Sequence, residues 1–335
     1  MTEIKNCPSS LQTGYNTYSP RAIKTLFDGK RVNPMLNFNI DELRNVNELL
    51  EAMHRISISG VQEKFPVIIK SGEIKISGDN ERSTHIIKPY PWDITLQDRK
   101  FIPATEHVTM QIASQVYGIQ TAANGLCFTP KGQPVYITRR FDVLPDGSKL
   151  PMEDFASIIG KNEYSAGKQF KYNGSYEDIA KAIRENVAAW MVDMERFFEL
   201  LVFNYIYGNG DAHFKNFSLI LDGNDYRLAP AYDLLNTALH INDNDFGLDG
   251  GLSIEIEKSD IMDRTGHPSR LDFERFGNKI GLVKKRIDRI LNKYSYFPDL
   301  AHFLLSQSYL PEKAKRSYMR IVKERISRYN RVNIK

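Results

Sequence analysis

The spacing of apolar residues changes along the chain and predicts a strand-rich first part. Between 56 and 90, apolar residues form short β-branched runs separated by Gly, Asn and Pro, which is typical of a small antiparallel sheet. Two further strands are predicted at 124–129 and 134–138. Residues 40–55 and 103–117 instead show apolar positions at helical spacing, so a helix is predicted in each.

Helical patterns dominate the later part of the chain. They run from about 153 to 207, interrupted by a polar, Gly-containing loop at 161–175. A β-hairpin is predicted over 217–228, because two short apolar runs flank the turn sequence Asp-Gly-Asn-Asp. Beyond it, the pattern again predicts helices over 272–294 and 311–330.

This order of elements predicts the fold class and the domain organisation. We expect an α+β fold with two lobes, a small β-rich lobe over 1–142 and a larger helical lobe over 143–335. The hinge is expected near 139–146. Ligands often bind in a cleft between two such parts, so a ligand site is expected there.

Composition limits the class of protein further. The chain has 335 residues, is 41% hydrophobic and 26% charged, and carries a net charge of +4. This is ordinary soluble usage, with no apolar run of membrane-spanning length and no secretory signal pattern, so a cytoplasmic protein is expected. Two cysteines, Cys7 and Cys127, make neither a disulfide framework nor a closed zinc site, and both are expected to be reduced.

The strongest chemical signal is a loop followed by a hairpin and a second carboxylate. Two glycines end an apolar helix in the sequence GNGDAHFKNF, which carries Asp211 and Asn216, and the later sequence LAPAYDL carries Asp233. Phosphoryl transfer needs a carboxylate to orient or deprotonate the attacking hydroxyl, and oxygen ligands for Mg²⁺. Asp211 and Asn216 have the five-residue separation of the protein-kinase catalytic loop. The alternative is a polar turn followed by an unrelated acidic residue.

Two weaker signals lie in the strand-rich part. The stretch Ser57-Ile58-Ser59-Gly60 could cover nucleotide phosphates, but taken alone it is better explained as an ordinary hairpin turn. Lys88 ends an apolar strand and could contact phosphates if a carboxylate held it, and Glu106 is the candidate partner. The alternative is a surface lysine at a strand end.

Several other residues are open to two interpretations. His213 and Lys215 could order the catalytic loop or contact the γ-phosphate. Phe170, Tyr172 and Tyr176, in and beside the polar loop, are interpreted as packing residues, with a protein-substrate platform as the alternative. The basic stretch over 313–328 is interpreted as a solvated helix face.

Six motifs in order resemble a known family. The segments SISGVQEKFPVII, THIIKP, RRFDV, MEDFASIIG, GNGDAHFKNFSLI and LAPAYDLL are similar to the successive motifs of HipA-type serine/threonine kinases, the bacterial toxin kinases of toxin–antitoxin modules. The resemblance implies a kinase-like fold with ATP and Mg²⁺ as cofactors. It implies Asp211 as the catalytic residue and Asn216 and Asp233 as Mg²⁺ ligands. It implies that Lys88 contacts phosphates and that Arg139 to Phe141 form a hinge that meets adenine. Together with Ser59 and Gly60 of the loop, and with His213 and Lys215 as candidates from their position in the catalytic loop, these are the expected ATP-binding residues.

The resemblance also implies regulation and partners. Kinases of this family phosphorylate a serine of their own Gly-rich loop, for which Ser57 and Ser59 are the matching residues. The short region before the loop resembles the HipT form, in which a separate small antitoxin protein supplies an N-terminal subdomain beside a DNA-binding antitoxin. The implied substrate is an aminoacyl-tRNA synthetase, the tryptophanyl enzyme first, whose phosphorylation would inhibit translation. Neither membrane binding nor direct nucleic-acid binding is expected.

Two other functions remain open from the residues. Small-molecule phosphotransferases of the aminoglycoside type use a similar Asp-x-His…Asn loop and a later Asp, but would not be expected to phosphorylate their own loop serine. A nucleotide-binding pseudokinase scaffold is the other alternative, and the intact set of Lys88, Asp211, Asn216 and Asp233 argues against it.

Overall fold

The structure is a computed structural model and describes residues 4–44, 63–91 and 96–332. The chain divides into two compact units. The first unit contains the described residues up to Val116, with Thr121–Lys149 and Leu300–Lys315. The second contains Tyr117–Gln120, Leu150–Asp299 and the described residues from Arg316 onward.

The first unit is built on a five-stranded antiparallel sheet. Its elements up to residue 149 are α1 (Pro20–Phe27), α2 (Ile40–Arg44), β1 (Phe65–Lys70), β2 (Glu73–Ile76), β3 (His85–Lys88), α3 (Ile102–Gln115), β4 (Asn124–Phe128) and β5 (Pro134–Arg139). The strand order is β2-β1-β3-β5-β4, and every neighbouring pair is antiparallel. The predicted antiparallel sheet is therefore confirmed, and the register pairs Lys88 with Tyr136.

Helix α1 was not predicted, although it has strong local signals. Ser19 is its N-cap, with Oγ accepting a hydrogen bond from the backbone N–H of Ala22, and Pro20 follows at the first helical position. Leu26 and Phe27 of this helix are buried in one apolar cluster with residues of the sheet. The free thiols of Cys7 and Cys127 are buried in the same cluster.

The second unit is mainly helical. Its elements up to residue 292 are β6 (Met152–Asp154), α4 (Phe155–Ile158), α5 (Glu163–Ala166), α6 (Tyr176–Asn186), α7 (Trp190–Ile206), β7 (Ser218–Asp222), β8 (Asp225–Leu228), α8 (Asp260–Thr265), α9 (Arg270–Lys279) and α10 (Lys284–Asn292). Helix α11 (Asp299–Gln307) belongs almost entirely to the first unit, and most of α12 (Glu312–Tyr329) belongs to the second. The predicted hairpin is present as β7 and β8, and β6 adds a third antiparallel strand beside β7.

The region 272–294, predicted to be helical, contains two helices, α9 and α10. Gly281 lies between them with φ of 89°, a left-handed conformation that ends the first helix. Among the described residues, no helix has both the length and the apolar character needed to cross a bilayer.

His107 makes the stability of the first unit sensitive to acid. It is fully buried on α3, with Nε2 2.8 Å from the carbonyl oxygen of Ser9. Burial lowers the pKa of His107 from 6.5 to about 4. An unfolded histidine titrates near 6.5, so between those values the unfolded state binds more protons and stability falls as the pH falls.

We therefore expect His107→Gln to reduce the acid sensitivity of folding. Glutamine keeps a donor for the Ser9 carbonyl but does not titrate. The loss of unfolding free energy between pH 7 and pH 4, measured by urea denaturation, should be smaller than in the wild type by about 3 kcal/mol. His302→Gln, at an exposed position of α11, serves as the control and should keep the full loss. An equal loss in both variants would contradict this assignment.

Candidate active site

The loop that carries Asp211 is held by hydrogen bonds to the backbone of its two glycines. Helix α7 ends at Ile206, and Gly208 follows with φ of 68°. Its carbonyl oxygen accepts hydrogen bonds from the Thr237 hydroxyl at 3.0 Å and from the Ala238 N–H at 3.1 Å. The Gly210 N–H then donates to the same Thr237 hydroxyl oxygen at 2.9 Å. The loop is therefore fixed by residues almost thirty positions later.

A second segment packs directly on the loop at Ala212. A Cβ atom added to Gly247 would lie 2.6 Å from the Ala212 nitrogen, so only glycine allows this approach. The Tyr176 hydroxyl donates to the Ala212 carbonyl at 2.8 Å and accepts from the Gly247 N–H at 3.2 Å. Tyr176 is thus a packing residue, as interpreted from the sequence, and its hydroxyl also bonds to the loop.

Asn216 and Asp233 lie together, although 17 positions separate them. The Asn216 Nδ2 donates to Asp233 Oδ2 at 3.3 Å. Asn209, in the loop before Asp211, donates from its side chain to the Asp233 carbonyl at 3.4 Å. Asp233 itself has φ of 55°, a left-handed conformation uncommon for a residue with a side chain. Such backbone strain is concentrated at functional sites, where the surrounding contacts maintain it.

This pair has the donor chemistry of a Mg²⁺ site. Asn216 Oδ1 is buried and has no hydrogen-bond partner among the described residues, which leaves a buried amide oxygen available as a ligand. The described ranges contain no group of three or more His, Cys, Asp or Glu side chains that could hold a metal ion. Mg²⁺ usually takes one or two carboxylates from a protein and completes its shell with water and phosphate oxygens. An amide oxygen beside a carboxylate therefore fits this ion.

Asp211 lies in the same unit and has a perturbed carboxyl group. Burial raises its pKa, and the charges of Asp243 and Asp233 act in the same direction. A hydrogen bond from the Tyr172 hydroxyl, which donates to Oδ1 at 2.9 Å, opposes these effects, as does the charge of Lys171. A partly buried carboxyl group with a raised pKa is the type of group that accepts protons in enzymes.

Lys88 lies in the first unit, at the end of β3. Its Nζ lies 2.6 Å from Glu106 Oε1, and the two side chains are 6% and 2% exposed. The ion pair expected between these residues is therefore present. It joins the end of β3 to α3 and fixes the position of the Lys88 side chain.

The remaining predicted residues have different environments. His213 is buried, with its ring 5.1 Å from that of Tyr172 in an edge-on arrangement. The Lys215 ammonium lies 3.1 Å from the carboxylate of Asp154, the N-cap residue of α4. Arg139 ends β5 and forms an ion pair with Asp28 at 2.6 Å, and Phe141 follows β5. Ser57, Ser59 and Gly60 lie outside the described residues.

Comparisons with known proteins agree with the predicted family. The family described as the HipA-like C-terminal domain matches residues 56–299. A protein of Haemophilus influenzae named "Putative kinase" is 26% identical over 332 residues, covering 94% of this chain and 93% of that protein. The serine/threonine-protein kinase toxin HipA of Shewanella oneidensis is 24% identical over 213 residues, covering 58% of this chain and 46% of that protein.

A solved structure supports the predicted fold. A chain in the complex of HipA, HipB and operator DNA from Shewanella oneidensis superposes with a TM-score of 0.63 at 17% identity. The match covers 82% of this chain and 65% of that one, so this chain spans about two thirds of its length. The predicted HipA-like α+β fold is thereby confirmed, and the relatives named as kinases confirm the prediction of a kinase. Since the family match covers more than half of the sequence, this chain belongs to the family with the HipA-like C-terminal domain.

Proposed function

We propose that this chain transfers the γ-phosphate of ATP to a serine or threonine of a protein, with Mg²⁺ held by Asn216 and Asp233. The observation that carries the proposal is the Asn216–Asp233 pair, in which a buried amide oxygen has no hydrogen-bond partner among the described residues and lies beside a carboxylate. The perturbed carboxyl group of Asp211, in the same unit, supports it. Asn216 and Asp233 would hold Mg²⁺, which would supply positive charge to offset that of the phosphates.

Each of the proposed site residues would have a different role in such a reaction. Asp211 accepts a hydrogen bond from the acceptor hydroxyl and orients it for in-line attack on the γ-phosphorus. The strained backbone at Asp233 and the Asn209 contact keep the two metal ligands at a fixed separation. Lys88, held by Glu106, would contact the α- and β-phosphates. Catalysis would rest on positioning and charge neutralisation.

The biological role that we propose is that of a toxin kinase in a toxin–antitoxin module. The related HipA of Shewanella oneidensis is named a serine/threonine-protein kinase toxin, and its solved complex contains HipB and operator DNA. We propose an antitoxin partnership of this kind here, including the small antitoxin of the HipT form. The proposed substrate is a cytoplasmic aminoacyl-tRNA synthetase, the tryptophanyl enzyme first, and Ser57 or Ser59 is the proposed site of self-phosphorylation.

Mass spectrometry after incubation with ATP and Mg²⁺ tests both the activity and the self-phosphorylation. We expect one added phosphate on Ser57 or Ser59 in the active protein, because we propose, from the resemblance to the family, that both serines belong to a loop that covers the nucleotide. Asp233→Asn is the slowed control and should gain far less phosphate over the same short incubation. A Ser57→Ala/Ser59→Ala double variant should lose the modification while still phosphorylating a protein substrate.

The outcomes separate the functions that the sequence leaves open. Phosphate on the loop serine of the active protein alone would support a self-modifying protein kinase and would justify assays with purified tRNA synthetases. ATP consumption with no phosphorylated protein, but with a phosphorylated small molecule, would contradict the proposal in favour of a small-molecule phosphotransferase. ATP binding without any consumption would indicate a scaffold.

A further inference from the structure

Tyr172 makes a contact that the sequence did not predict and the proposed function does not use. It lies in the segment between α5 and α6, and its hydroxyl donates a hydrogen bond to Asp211 Oδ1 at 2.9 Å. The sequence interpretation assigned Tyr172 to packing. Its hydroxyl is instead bonded to the carboxylate that the proposed reaction depends on.

The backbone around Tyr172 is fixed from two directions. The Tyr172 carbonyl accepts a hydrogen bond from the Asp249 N–H at 2.9 Å. The neighbouring Lys171 carbonyl accepts one from the Phe214 N–H at 3.2 Å, and Phe214 belongs to the catalytic loop itself. The main chain of this segment is therefore attached to the loop that carries Asp211, which limits the positions that the phenol can take.

The aromatic ring is fixed as well. Its centroid lies 5.1 Å from the ring of His213, with an interplanar angle of 69°, an edge-on contact. The Lys171 ammonium lies over the same ring, 4.8 Å from its centroid. A side chain held by its ring and by its backbone loses little conformational freedom when its hydroxyl bonds to Asp211, so the hydrogen bond is preorganised.

Burial and the neighbouring carboxylates keep the Tyr172 hydroxyl protonated, so it acts as a hydrogen-bond donor. Burial raises the pKa of Tyr172, and the carboxylates of Asp211, Asp243 and Asp249 raise it further. The phenol therefore stays protonated, and its hydroxyl acts on the carboxylate by orienting it. In return, the hydrogen bond lowers the pKa of Asp211 against the effect of burial.

We propose that Tyr172 is a positioning residue for phosphoryl transfer, which holds Oδ1 of Asp211 and leaves Oδ2 to receive the acceptor hydroxyl. This inference rests on the proposed function. In the reaction, a bond forms between the acceptor oxygen and the γ-phosphorus while the bond from that phosphorus to the bridging oxygen breaks. The electron pair leaves with ADP, the hydroxyl proton passes to Oδ2 of Asp211, and Tyr172 keeps its own proton.

The test is Tyr172→Phe, which removes one hydroxyl and keeps the ring contact with His213. We expect kcat for Mg²⁺-dependent ATP turnover to fall about 10- to 100-fold, with KM for ATP changed less than about twofold, because the variant misplaces a carboxylate and leaves nucleotide contacts intact. The acid limb of the kcat profile should move to higher pH, since the lost hydrogen bond no longer lowers the pKa of Asp211. The other groups acting on that pKa, Lys171, Asp243 and Asp233, are the same in both proteins.

Tyr176→Phe is the matched control. It removes a hydroxyl that, among the described residues, has hydrogen bonds only to the backbone of Ala212 and Gly247 near the same loop. We expect it to lower the melting temperature and to leave the acid limb where it is. If Tyr172→Phe behaves like this control, or keeps wild-type kcat with an unmoved acid limb, the inference is overturned. A wild-type protein with no ATP turnover would instead contradict the proposed function.

Discussion

Replacing Asp211 with asparagine is expected to lower phosphoryl transfer by about 10³-fold, equivalent to about 4 kcal/mol in the activation barrier. Asparagine has the size of aspartate and can still accept the hydrogen bond from the Tyr172 hydroxyl, so the loop should keep its conformation. It lacks the negative charge that attracts the hydroxyl proton of the acceptor. The measurement is the single-turnover rate of phosphate transfer from radiolabelled ATP.

The affinity for Mg²⁺-ATP distinguishes a chemical defect from a folding defect. Calorimetry should give a dissociation constant within about threefold of the wild-type value, because the proposed ligands Asn216 and Asp233 are unchanged. Asp225→Asn, at an exposed position of the β7–β8 hairpin, is the control and should transfer phosphate at the wild-type rate. Undiminished transfer by Asp211→Asn would show that another group orients the acceptor.

Replacing Asp233 with asparagine is expected to weaken Mg²⁺ binding as well as to slow transfer. Asparagine tolerates the left-handed backbone conformation seen at this position, where φ is 55°, so the change removes charge without adding strain. The loss of a carboxylate ligand should raise the Mg²⁺ concentration for half-maximal activity by at least about tenfold and should lower kcat by about 10²-fold. Both quantities come from a Mg²⁺ titration at saturating ATP.

Mn²⁺ provides the readout that separates a metal ligand from a structural residue. Mn²⁺ binds oxygen and amide ligands somewhat more tightly than Mg²⁺, so it should restore part of the lost activity of Asp233→Asn. A merely structural role would leave both metals equally ineffective. Equal Mg²⁺ requirements in the wild type and in Asp233→Asn would remove Asp233 from the metal site.

The local sequence determined the order of elements and the type of chemistry. The hairpin at β7 and β8 follows from a turn sequence between two apolar runs, and α3 follows from helical spacing with proline in the first turn. Both signals are contained within about fifteen residues. The spacing between Asp211 and Asn216 is similarly local, because a catalytic loop of this kind is one continuous segment.

Two elements, β6 and α1, were not predicted from the sequence, for different reasons. Strand β6 has only three residues and exists because it pairs with β7, for example Glu153 with Leu219. A strand of that length has no periodicity from which it could be predicted. Helix α1 is a different case, since Ser19 and Pro20 at its start are a recognisable signal that the apolar pattern alone did not use.

Only the tertiary structure decided which side chains meet at the candidate site. Asn216 contacts Asp233 across 17 positions, Tyr172 reaches Asp211 across 39, and Gly247 packs on Ala212 from a later segment. Each contact depends on how separate segments pack, and packing is set by the whole core rather than by neighbours in sequence. The sequence therefore determined the kinds of residue available for phosphoryl transfer. The fold determined which carboxylate is buried and which hydroxyl donates to it.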